Sequence, residues 1–419
     1  MTLQFHLRHS ALARELHSRP HTQLEAPCAV AHLAIMSDGD GGLQELFDEL
    51  DDGGDAGTDE RHRALSVGQL ALRWERHTEF ESLAISRPCS RKTPLGSPVD
   101  ELPSGWLERI EGRVVSATLV FVEGEQGGCS DVELPELLGH DHVVGSRVLG
   151  NAADVHTAFA HAGDGYVRYH VRDLGMSRDQ TGRLVQRLIE IETYRMMALL
   201  GLPVAKALAP DLARVERRLA ELVTRLGAAG DLAEEQALLD ELFELAQVSE
   251  QHVADSAYRF AATNAYGRIV NDRLRDLREQ RLEQAQPMGE FLERRFEPAL
   301  RTCQATVRRQ ESVSQRISRT ANLVRTRVDV ALQKQNRSLL ATMARRSRMQ
   351  LRLQQTVEGL SVMAISYYSL GILTYLLGGL IETEQLRLVI SVTAPAFLIT
   401  IWFLLRRWRH HIASQEDET

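Results

Sequence analysis

Cysteine is scarce: Cys28, Cys89, Cys129 and Cys303 are the only four in 419 residues, and no two stand in CxxC spacing. This argues against a disulfide framework and a zinc–thiolate site and fits a reducing cytosol. No GxSxG, P-loop, HExxH or GxGxxG occurs, so the usual nucleophile, nucleotide and zinc-hydrolase signatures are missing and no enzyme is expected. The N-terminus, MTLQFHLR, lacks the apolar core of a signal peptide. After Pro298 neither proline nor glycine appears before Gly359, which predicts one long helix over 298–358. That helix also lacks aromatic residues between its arginines, which disfavours nucleic acid as a partner.

What is present begins with charge. Over 298–358, twelve arginines and Lys334 stand against Glu311, Asp329 and Glu358, a net +10, and the rest of the chain is left at −18. An acidic body on a basic helix suits a surface of anionic lipid. Two uncharged apolar runs follow, 359–381 and 388–405, joined by ETEQLR. Each approaches the length that spans a bilayer as a helix, and together they predict a membrane hairpin. Arg346, Arg348 and Arg352 precede the first run; Trp402, Arg406, Arg407 and Trp408 close the second, as interfacial anchors do. The positive-inside rule then places both ends in the cytoplasm, with only the turn and its Glu382 and Glu384 outside.

The expected class is α+β. Residues 1–176 read as a mixed α/β cytosolic domain, 177–297 as a helical domain, 298–358 as the stalk, then the two spans and a tail at 406–419. A short helix is predicted over Ser10 to His17. Cys28–Met36 (CAVAHLAIM) and Val114–Val122 (VVSATLVFV) read as strands, as do 143–149 and 166–171. A hairpin is predicted from 67–74 and 79–86, and a short helix from 152–160. Helices are expected at 178–200, stopped by Gly201-Leu-Pro203, at 207–226, at 231–262 with Asp231 as N-cap, and at 264–284. In the stalk Val313, Ile317, Ala321, Val324, Val328, Ala331, Gln335 and Leu339 recur at steps of three and four, near heptad spacing. A polar helix about 90 Å long does not persist alone, so either homo-oligomerisation or packing by the preceding helices is expected.

Several stretches resemble the bacterial membrane-anchored family known as domain-of-unknown-function family 3422. They are ELHSRP at 15–20, AYGRIV at 265–270, RLRDLRE at 273–279, RTRVDV at 325–330, Gln335-Asn336, QQTVEGLSV at 354–362 and AISYY at 364–368. The family has no established activity, so the resemblance implies anatomy alone. The order of parts is also similar to CorA-type divalent-cation channels, in which a Gly-Met-Asn tripeptide closes the first span. Here that place reads LGGLI at 377–381, without the Met and the Asn. A divalent cation is the only cofactor this similarity implies.

Candidate residues follow from these parts. Ala364, Tyr367, Gly371, Thr374 and Gly378 share one face of the first span, read either as small-residue helix packing or as a pore lining. Glu382 and Glu384 form either an external acidic ring or ordinary solvated charges. Histidine offers a weak metal set, His140 and His142, with His156/His161 and His17/His21 as further pairs, though no third ligand is apparent. Asp38–Gly42 lacks the spaced acids of a calcium loop and reads as a turn. The sequence leads to a membrane-anchored oligomer whose cytosolic body binds a protein partner or senses a ligand. A cation channel is the alternative.

Overall fold

The structure, a computed structural model, describes residues 22–36, 43–50, 62–89, 96–124, 134–283, 285–377, 394–397, 399–400 and 402–403. The expected helix at Ser10 to His17, the Glu15–Arg19 stretch and the Asp38–Gly42 turn lie outside these residues.

The chain divides into two units, Met1–Gly230 with Gln236–Val324, and Asp231–Glu235 with Arg325–Thr419. Among the described residues the first is built on one sheet of nine strands: β1 (Cys28–Met36), β2 (His62–Val67), β3 (Leu70–Arg76), β4 (Glu81–Pro88), β5 (Arg113–Glu123), β6 (Val144–Val148), β7 (Ala153–His161), β8 (Val167–Asp173) and β9 (Gln280–Arg281). Their order is β2-β3-β4-β1-β5-β8-β7-β6-β9, and β5–β8 is the parallel pair. The mixed α/β character expected from the sequence is therefore present.

β1 lies in the middle of the sheet, and its nearly unbroken apolar run is what burial on both faces requires. On one face Leu72, Trp74, Leu83, Ile85 and Phe121 pack under α1 (Leu43–Leu50) through Leu43, Leu46 and Phe47. Trp106 joins this layer, its indole N–H donating to the Leu46 carbonyl at 3.4 Å. On the other face Val30, Val122, Val155, Tyr169 and Val171 meet α3 (Arg178–Leu199), which lies after the short α2 (Leu134–Leu138). α3 starts in a capping box: the Ser177 hydroxyl accepts from the Gln180 amide, and the Gln180 side chain accepts from the Ser177 amide. Inside the layer Glu192 is fully buried and paired with Arg195 at 2.5 Å, beneath Tyr169. α5 (Leu232–Leu277), which succeeds α4 (Gly201–Ala228), adds Val270 and Leu277, and α6 (Met288–Arg295) adds Leu292.

Four expectations are corrected. The helix predicted over 152–160 is the strand β7, hydrogen-bonded to β6 and β8. Nine residues make a marginal helix, whereas two waiting neighbours satisfy the whole backbone. In the predicted hairpin, Val67 belongs to β2, because Gly68 at φ 61° turns the chain before β3. The β3–β4 pairing itself is present. Gly201-Leu-Pro203 does not delay the next helix: α4 begins at Gly201, and a proline in the first turn forfeits no intrahelical bond. The break expected at Thr263 is absent from α5. Its hydroxyl donates to the Ala198 carbonyl at the end of α3, 3.1 Å away, and a Cβ on Gly201 would stand 2.3 Å from that oxygen. Asp231 does act as a cap, accepting from the Glu234 amide at 2.8 Å.

The last long helix, α7 (Glu297–Leu377), covers the predicted stalk and continues beyond it. Within the first unit Val313, Ile317 and Val324 of its apolar stripe are buried, and Arg309 is held bidentately by Glu216. Within the second unit Arg327 pairs with Glu235 at 2.7 Å and Val328 is buried. From 332 to 361 every residue is exposed, Gln335 and Leu339 of the stripe included.

Candidate functional site

Strand register creates a hollow on the α3 face of the sheet. Three rows of paired residues cross β2, β3, β4 and β1 there. One runs Ser66, Ala71, Ser86, Val30; the next Ala64, Arg73, Ala84, His32; the third His62, Glu75, Ser82, Ala34. Most of these side chains are small, while Leu72, Trp74, Leu83 and Ile85 fill the opposite face of the same strands. With α3 as a wall, the small floor leaves a cavity of about 260 Å³. Gly182, Val185, Gln186, Ile189, Glu190 and Thr193 contribute from α3, and His77 and Phe80 close one end from the β3–β4 turn.

His32 is the most telling group in it. It is 6% exposed, and its Nδ1 is buried without a hydrogen-bond partner among the described residues. Burial, and secondarily the neighbouring His77, lower its pKa to about 3, so the ring is a neutral imidazole with one donor and one acceptor. The Thr193 hydroxyl is likewise buried and unpartnered. A polar atom left unsatisfied in a protein interior costs about 1–3 kcal/mol, and both atoms are wrapped by protein with almost no accessible surface of their own.

The charged lining groups are paired. Arg73 meets Glu75 at 2.5 Å, and Glu190 meets Arg273 and accepts from Gln186 at 2.9 Å. His77 stacks on Phe80 with ring centroids 4.3 Å apart. Ser82 Oγ lies 3.4 Å and Glu75 Oε2 3.7 Å from the same nitrogen, His77 Nε2. A serine–histidine–acid relay needs the acid on the opposite ring nitrogen, so Ser82, His77 and Glu75 do not form one. The arrangement suits binding and orientation.

The residues singled out in the sequence lie elsewhere. His140 and His142 sit in the turn after α2, off the sheet; His140 Nε2 is 2.8 Å from the His161 carbonyl oxygen, and His142 is exposed. His156 and His170 do approach, their rings 6.0 Å apart, with His170 Nε2 3.1 Å from Glu123. Burial, followed by His170, lowers His156 to about 4. Among the described residues no three His, Cys, Asp or Glu side chains converge as metal ligands. Ala364, Tyr367, Gly371 and Thr374 lie on α7, and Tyr367 is 76% exposed. The Thr374 hydroxyl donates back to the Leu370 carbonyl at 2.7 Å. Arg346, Arg348, Arg352 and Trp402 are exposed. Gly378, Glu382, Glu384, Arg406, Arg407 and Trp408 lie outside the described residues.

Sequence reasoning missed the cavity altogether. Its one local signal is the alternation in β3 (LALRWER), whose small and charged positions share a face; Ala84 and His32 join that face only through pairing. No curated protein and no solved structure matches the chain. A family profile matches residues 4–412, nearly the whole chain, and the protein therefore belongs to the family described as "Protein of unknown function (DUF3422)".

Proposed function

We propose that this is a membrane-anchored, homo-oligomeric ligand-binding protein of the bacterial inner membrane. Its cytosolic sheet domain takes a small molecule into the cavity under α3. The observation that carries the binding half is the concave site of about 260 Å³ under α3, bordered by the neutral His32. The anchoring half is supported by α7, where Leu360, Met363, Ile365, Ile372 and Leu376 are all at least 60% exposed. So much uncovered apolar surface calls for lipid or a second copy. The back-bonded Ser361 and Thr374 hydroxyls suit lipid, being satisfied within their own helix. The exposed stretch from 332 to 361 leaves homo-oligomerisation in place as the way to cover the stalk. An additional cytosolic protein partner remains compatible with this arrangement, and nucleic acid is not proposed.

Extraction of the detergent-purified protein tests the binding half. Wild-type protein is expected to release a small molecule in near-stoichiometric amount, and Ala84→Leu, which fills the floor, to release none. Equal release from both would leave the cavity a packing defect. The second reading, a CorA-like divalent-cation channel, is favoured by the shared exposure of Tyr367 and Gly371 on α7. It requires vesicles holding the purified protein to pass Mg2+, and tight vesicles would remove it.

A further inference from the structure

The cavity also carries information on what it binds, given that it is a ligand site at all. Its ionised walls are already neutralised: Arg73 by Glu75, Glu190 by Arg273, and the adjoining Arg76 by Glu81 at 2.9 Å. A ligand with net charge would leave water and meet no free counter-charge among the described residues, a transfer that interiors resist strongly. Leu24, Val30, Val185 and Ile189 make the remaining wall apolar, and Ala71 and Ala84 keep the floor low. At about 260 Å³ the space lies below the roughly 300 Å³ at which drug-sized sites begin. We infer that the ligand is a small uncharged molecule with a largely apolar body, lying over the alanine and serine floor beside His32.

Benzamide, benzoate and benzamidinium share one ring and nearly one shape but differ in charge, and so separate the classes. Each is titrated into the full-length protein in detergent, with saturation-transfer NMR as readout and empty micelles as blank. Benzamide is expected to bind wild-type protein and to lose binding in Ala84→Leu. Both charged probes are expected to bind at least about tenfold more weakly than benzamide. Ala71→Leu, in the neighbouring row, is a second occluding variant, and circular dichroism reports whether each variant is folded. Benzoate or benzamidinium binding as tightly as benzamide and blocked by the occluding variants would overturn the uncharged class while leaving the cavity a ligand site. No difference between wild type and both folded variants for any probe would overturn the class and the binding site together.

Discussion

At the scale of single residues, the interior of the sheet domain is unusual for its neutral histidines. Burial lowers His32 to about 3, His156 to about 4, and also lowers His170, where Glu123 opposes it. The ordinary value is 6.5, which the unfolded chain regains. Between the folded and unfolded values the unfolded state binds more protons, so stability rises with pH. The contribution is complete above about pH 6.5 and drains away as pH falls toward 4 and 3, each ring removing up to about 1.4 kcal/mol per pH unit. Urea midpoints followed by the fluorescence of buried Trp74 are expected to fall steadily from pH 7 to pH 5. In His32→Gln the same plot should be flatter, and an unchanged slope would mean that His32 is protonated in the fold. None of this was legible in the sequence, where His32 is one polar letter inside an apolar strand.

At the scale of elements, α3 is the piece that makes the cavity, because its position over β1 and β5 sets the height of the wall. Two devices hold it, and they differ in worth. The Ser177 cap is solvent-exposed, so Ser177→Ala should cost about 1 kcal/mol. Glu192→Ala leaves the Arg195 guanidinium almost buried without its anion and should cost about 3–5 kcal/mol. Chemical denaturation of the two variants measures the difference; equal costs would show that the Glu192 pair is not buried in solution. The helix at 178–200 was readable because its cap and apolar spacing are local. β7 was not, because Ala153–His161 has a composition that a helix tolerates, and only the flanking strands β6 and β8 make it a strand. Thr263 misled for the same reason: the Ala198 carbonyl that accepts from its hydroxyl belongs to α3 and is remote in sequence.

At the scale of the molecule, the acidic body and the basic, apolar C-terminal part set the expectation of lipid attachment. Full-length protein should sediment with membranes and resist alkaline carbonate, and a chain ending before residue 359 should appear in the soluble fraction. Full-length protein recovered from the supernatant without detergent would end the anchored reading. The truncated chain keeps every cavity-lining residue, since all lie between Thr22 and Tyr194, and should retain the benzamide response.

The long C-terminal helix and the charge division between the two parts were determined by the sequence alone. Both are one-dimensional properties: a stretch free of proline and glycine, or one short of acids, keeps that character wherever it is placed. The cavity was decided only by the tertiary structure. An alanine or serine on one strand is an ordinary residue until pairing sets Ala64, Arg73, Ala84 and His32 in one row beneath α3. A void then forms because most of the neighbours are small too, a coincidence that exists in space and not along the chain.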